Sequence, residues 1–166
     1  MEILKIKTDK TGRNFFEYQV PKKDGYDIIT LDSADEPLPD YTAAFLALRK
    51  PFLEICEYST KDDVVTRTKI KGVSLSWQGE KGDRKFGATI TGIIGLNKKA
   101  ASLMINTPHL FTGNENTEDS ALILPVDAIQ AIETLLIEAE KYINGERSQI
   151  ELFGQNEKRD LEKRKN

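Results

Sequence analysis

A chain of 166 residues is the size of one domain, long enough to withdraw roughly 70% of its unfolded surface from water. With 39% hydrophobic and 31% charged residues the composition excludes a disordered polymer, and a formal net charge of -3 excludes a general electrostatic pull toward phosphate backbones. No apolar run approaches the roughly 18–20 residues that cross a bilayer, and one cysteine, Cys56, allows no internal disulfide.

The opening MEILKIKTDK has no apolar stretch of the kind a signal peptide carries. Residues 2–8 alternate, with Leu4 and Ile6 on one side and Lys5 and Lys7 on the other, which predicts a half-buried strand. Asp9 to Arg13 supplies a turn around Gly12. A second strand is expected from Asn14 to Val20, with Phe16, Tyr18 and Val20 on its apolar face, and a third from Tyr26 to Leu31 after the turn at Pro21–Gly25. A polar linker, Asp32 to Pro39, then leads into a helix whose apolar positions are Tyr41, Ala44, Phe45, Leu48, Phe52 and Ile55. Pro51 should kink this helix or divide it.

Val64 to Leu96 reads as a long hairpin. Arg67, Lys69 and Lys71 share one parity, and after Gly72 the apolar parity flips to Val73, Leu75 and Trp77, so an extra residue is expected at Lys71–Gly72 as a β-bulge. Gln78 to Asp83 forms the loop, and Phe86, Ala88, Ile90, Gly92, Ile94 and Leu96 return on one face. A short strand is expected at Ser102–Asn106, and a long loop from Thr107 to Ser120. The final helix starts near Pro125, buries Ile129, Ile132, Leu135, Leu136, Ala139 and Ile143, and stops at Asn144-Gly145. The pattern predicts an α+β fold: an antiparallel sheet of about five or six strands with two helices packed on one face. Residues 1–146 form the domain, and the polar segment 154–166 is expected to be a disordered charged tail.

Chemistry is sparse. His109 is the single histidine, no metal-ligand spacing occurs, and the glycines at 72, 79, 82, 87, 92 and 95 fit neither the phosphate-loop nor the dinucleotide pattern, so neither metal nor cofactor is expected. A serine or cysteine nucleophile needs a neighbouring base, and only His109 could serve; it reads as an ordinary loop residue. Asp32, Asp35, Glu36 and Asp40 cluster in the linker, where a divalent-metal nuclease is the minor reading and turn formation or helix capping the simpler one. No catalytic residue is therefore expected.

Charge is unevenly spread. Residues 115–146 hold eight acids and one base, Lys141, whereas Lys5, Lys7, Arg67, Lys69 and Lys71 oppose the apolar parity of their strands. If helices cover one face of the sheet, these bases project from the other, with Phe15 among them, and could track single-stranded DNA through phosphate contacts and base stacking. The simpler alternative is that they solubilise the open face.

The stretch after the last helix is different. In Gln149-Ile150-Glu151-Leu152-Phe153, two apolar anchors follow a helix terminator and precede a polar tail. The string QIELF resembles the Gln-x-x-Leu-Phe peptide by which bacterial replication and repair proteins dock on the DNA sliding clamp. Such a match arises by chance in roughly a few per cent of chains this long. Docking would place Leu152 and Phe153 in an apolar cleft, with Gln149 at its rim and Ile150 adding contact. The alternatives are that Leu152 and Phe153 cap the core of the domain, or that they meet another partner. Residues 147–153 are thus a candidate docking peptide.

Four further strings stand in order: KGVSLS at 71–76, GATITG at 87–92, NTPH at 106–109, and Tyr142-Ile143-x-Gly145-x-Arg147-x-Gln149-x-x-Leu152-Phe153. Through them the chain resembles a class of small phage and prophage early-region proteins, over most of residues 60–153. The resemblance implies a setting near DNA replication or recombination in the cytoplasm of a bacterial host and carries no catalytic role. A phage anti-defence protein that sequesters a nucleotide or a host protein is a further reading.

Overall fold

Two antiparallel meanders meet edge to edge in a single sheet. The computed structural model describes residues 1–113 and 120–148. The first meander is β1 (Glu2–Thr8), β2 (Asn14–Lys22) and β3 (Gly25–Ser33); the second is β4 (Thr68–Gln78), β5 (Lys85–Gly95) and β6 (Ser102–Asn106). The strand order is β3-β2-β1-β4-β5-β6, and the short β7 (Leu110–Phe111) also pairs with β5, at Gly87 and Ala88. Between the meanders run α1 (Pro39–Ala47), α2 (Arg49–Ile55) and α3 (Asp62–Thr66), and after them comes α4 (Val126–Ile143). The fold is α+β, with the antiparallel sheet and the helical layer that the sequence pattern predicts.

Local chemistry sets the elements. The Asp9 carboxylate accepts from the backbone N–H groups of Thr11 (2.8 Å) and Arg13 (3.0 Å), closing the β1–β2 turn, while Gly12 takes positive φ. The helix divides at Leu48, between α1 and α2, with Pro51 in the first turn of α2 where its missing N–H is harmless. The register between β4 and β5 shifts between Ile70 and Gly72, so Lys71 is the extra residue of the expected bulge.

Three expectations are corrected. Val64 to Thr66 is helix rather than strand, because Asp62 and Asp63 occupy the first turn of α3 and favour the helix dipole. In β1 the core residues are Ile3 and Ile6, not Leu4 and Ile6, because a second register shift falls between Ile3 and Lys5. The stripe of α4 is centred on Ala128, Ile132, Leu135, Ala139 and Tyr142, with Ile129, Leu136 and Ile143 only partly buried.

Tyr142 explains that rotation. Its ring packs against Phe16 at 5.1 Å and Tyr41 at 5.7 Å between centroids, and its hydroxyl donates to the Asp35 carbonyl at 2.6 Å. An aromatic ring that large dominates a helix face, provided its polar tip finds a partner. On the second meander, Phe52 and Leu53 of α2 are fully buried, each stabilising the fold by about 1.5–3 kcal/mol. No described helix is long and apolar enough to cross a membrane.

Candidate functional site

The chain leaves α4 through a tight stop. Gly145 takes positive φ, its N–H donates to the Tyr142 carbonyl at 3.0 Å, and the Glu146 N–H reaches back to Lys141 at 2.9 Å. Two further residues are then pinned to the β3–α1 linker. The Arg147 guanidinium lies 4.5 Å from the centre of the Tyr142 ring, donates to the Tyr142 carbonyl at 3.1 Å, and pairs with the Asp35 carboxylate. The Ser148 N–H donates to the Glu36 carbonyl at 2.9 Å. Gln149, Ile150, Leu152 and Phe153, and the tail 154–166, lie outside the described residues.

The face of the sheet opposite the helices carries two cross-strand rows. One runs Thr30, Glu17, Lys5, Ser74, Thr89; the other runs Asp32, Phe15, Lys7, Gly72, Thr91, Asn106. Lys5 and Lys7 stand side by side in β1 on that face, and the Lys7 ammonium lies 5.9 Å from the centre of the Phe15 ring. Lys69 is exposed opposite Ile93, and burial together with the Lys69 charge holds the Lys71 ammonium below the usual lysine range. Arg67 does not join this row. It caps α3, with its guanidinium on the Gly95 carbonyl and 3.7 Å from the Asp63 carboxylate. Glu17 also interrupts the row, opposite Lys5, so the face is mixed rather than uniformly basic.

At the far end of the same face sits His109. Ser76 Oγ lies 2.7 Å from its Nε2 and Thr89 Oγ1 lies 2.9 Å from its Nδ1. The Phe111 ring meets it edge-on at 5.1 Å. A neutral imidazole in this seat donates to one hydroxyl and accepts from the other. Gly87 makes it possible: a Cβ there would fall 2.6 Å from His109 Nε2 and 2.8 Å from the Phe111 ring. A serine beside a histidine is half of a nucleophilic pair, but Thr89 brings no negative charge to orient and stabilise an imidazolium as a carboxylate would.

Neither a family model, nor a curated protein, nor a solved structure matches this chain. The reading therefore rests on its own side chains.

The linker acids disperse into local duties. Asp32 pairs with Arg13 at 2.9 Å, Asp35 with Arg147, and Asp40 lies in the first turn of α1. Among the described residues no three His, Cys, Asp or Glu side chains gather closely enough to hold a metal ion. Cys56 is half-buried at the end of α2, and burial pushes its thiol above the ordinary range, away from reactivity. Sequence reasoning missed Arg147, Ser76 and Thr89. Only Arg147 left a signal, as a cation between a helix stop and the docking string; the others meet His109 through tertiary contacts alone.

Proposed function

We propose that this chain is a non-enzymatic, phage-type accessory protein of DNA replication and recombination that docks on the bacterial sliding clamp through Gln149, Ile150, Leu152 and Phe153. The observation that supports this reading is the anchorage of Arg147 and Ser148 to Asp35 and Glu36. It fixes the point from which the string begins. Five residues beyond Ser148 reach at most about 17 Å, so a docked clamp would sit against the domain rather than far from it. Leu152 and Phe153 serve as apolar anchors and Gln149 as the rim hydrogen bonder, the division of labour by which short peptides bind clefts.

The test measures binding of the full chain to a purified bacterial clamp, beside a Leu152→Ala/Phe153→Ala variant. The expected result is specific binding that weakens at least tenfold in the variant. Equal binding by both, or by neither, rejects the reading.

A second reading has its own observation, the Lys7–Phe15 pair beside Lys5 on the open face. Single-stranded DNA laid across β1 and β2 would meet two ammonium groups and a stacking ring. Binding of an oligonucleotide should then fall with rising salt and collapse in Lys5→Glu/Lys7→Glu. A salt-insensitive signal would discard it.

A further inference from the structure

β1 and β4 pair only through Lys5–Lys7 and Gly72–Ser74, although β4 begins at Thr68. Beyond Thr8, therefore, the first residues of β4 have no β1 neighbour, and β2 starts on the other side of the gap at Asn14. Helix α1 lies across this opening. The result is a cavity of about 430 Å³ bounded by Thr8, Asn14, Tyr41, Phe45, Arg49 and Ile70. Cavities that hold small molecules span roughly 300–1,000 Å³, with mostly apolar walls and a few placed polar groups.

The Tyr41 hydroxyl behind this wall is unsatisfied but shielded from the opening. Tyr41 is 3% exposed, and its buried hydroxyl has no hydrogen-bond partner. A buried hydroxyl left unpaired is uncommon because it forfeits its bonds to water without replacement. Burial pushes the phenol well up, so it remains protonated.

Charge narrows the occupant. Two carbonyls hold the Arg49 guanidinium, Leu46 at 3.2 Å and Val65 at 3.4 Å, and among the described residues no carboxylate pairs with it. Lys69, also in the wall, likewise makes no ion pair among them. Among the described residues Glu36 is the single carboxylate lining the cavity, so the described walls carry a surplus positive charge. Arginine is the side chain best shaped to take a carboxylate.

We propose that this cavity binds a small amphipathic carboxylate, with its apolar body against Phe45 and Ile70 and its acid group at Arg49. A nucleotide fits it less well, because walls this apolar offer few partners to several phosphate oxygens.

The full chain is titrated with 2-naphthoate, indole-3-acetate and octanoate by calorimetry and by chemical-shift mapping, with 2-naphthamide as the uncharged counterpart. At least one acid should bind one-to-one, shifting Tyr41 and Phe45, and 2-naphthoate should bind more tightly than its amide. Arg49→Gln should weaken binding about tenfold and erase the preference for acid over amide. Thr42→Trp, whose ring fills the cavity, should abolish binding. The proposal is overturned if no acid binds at about 1 mM, if acid and amide bind alike, or if binding survives both Arg49→Gln and Thr42→Trp. Magnetisation transfer between Phe153 and Phe45 in the free full chain would also overturn it, by giving the cavity to the protein's own tail.

Discussion

Gly92 in β5 lies directly beneath the ring of Phe52 in α2: a Cβ on Gly92 would fall 2.6 Å from the ring's Cζ. Phe52 is wholly buried, so its ring has nowhere to retreat. The pair sets how closely the helical layer approaches the second meander.

Gly92→Ala should therefore overpack the core and lower stability by about 1–3 kcal/mol. Urea unfolding measures it. The double change Gly92→Ala/Phe52→Leu should recover part of the loss, since the smaller side chain makes room for the methyl group.

Glu57 is the described non-glycine residue with positive φ, at 59°, where α2 ends. Its N–H donates to the Glu54 carbonyl at 3.1 Å, and the Tyr58 N–H to Leu53 at 2.9 Å, a stop that glycine makes without strain. Left-handed backbone costs an ordinary residue roughly 1–2 kcal/mol, against which glycine's extra freedom in the unfolded chain takes back roughly 0.5–1 kcal/mol. Glu57→Gly should stabilise the protein by the difference, about 0.5–1 kcal/mol, read as a higher urea midpoint at unchanged slope.

These positions also show what a sequence reveals. The bulge at Lys71 is legible because lysines and apolar residues exchange faces there, so the slip is written in polarity. The bulge in β1 is not legible, since Ile3, Leu4 and Ile6 are all apolar and a one-residue shift changes nothing in the pattern. Val64, Val65 and Thr66 have strand-like side chains, yet the acids before them and the packing of a short helical turn prevail. The strings that flank His109 are visible in sequence. Its meeting with Ser76, 33 residues away, depends on β7 pairing with β5 past the end of β6.

The Arg84 guanidinium grips Glu2 with both arms, Nε at 2.6 Å and Nη2 at 2.8 Å from its two carboxylate oxygens, and holds the carboxyl below its ordinary value of 4.5. An acid whose value is lowered by folding stabilises the native state above its unfolded value, and that contribution fades as pH falls through the folded one. The melting temperature of the wild type should thus drop more steeply than that of Arg84→Gln as pH is lowered from 4.5 toward the lower folded value. Calorimetry across that range decides the matter; parallel profiles would refute it.

Glu54 behaves oppositely. The Asp127 carboxyl beside it, a second acid across the α2–α4 contact, holds Glu54 above its ordinary value. A raised acid favours the folded state while protonated, and the repulsion grows as pH rises through the folded value. Glu54→Gln should raise the melting temperature at neutral pH, and the gain should shrink on acidification. A gain independent of pH would point to helix propensity instead.

The narrow seam between the meanders has a mechanical consequence. Only three residue pairs join β1 to β4, whereas ten join β4 to β5. A side chain on Gly72 would collide with the Ile6 carbonyl, so the junction also relies on bare backbone. What bridges the halves is the helical layer: Tyr142 and Tyr41 grip Phe16 on one side, and Phe52 seats on Gly92 on the other. The helices thus act as a buckle across two separable ribbons. Loosening them would let the sheet part along β1 and β4 while leaving each ribbon intact, and the amides of Ile6 and Val73 would exchange with solvent ahead of those in the middle of β5.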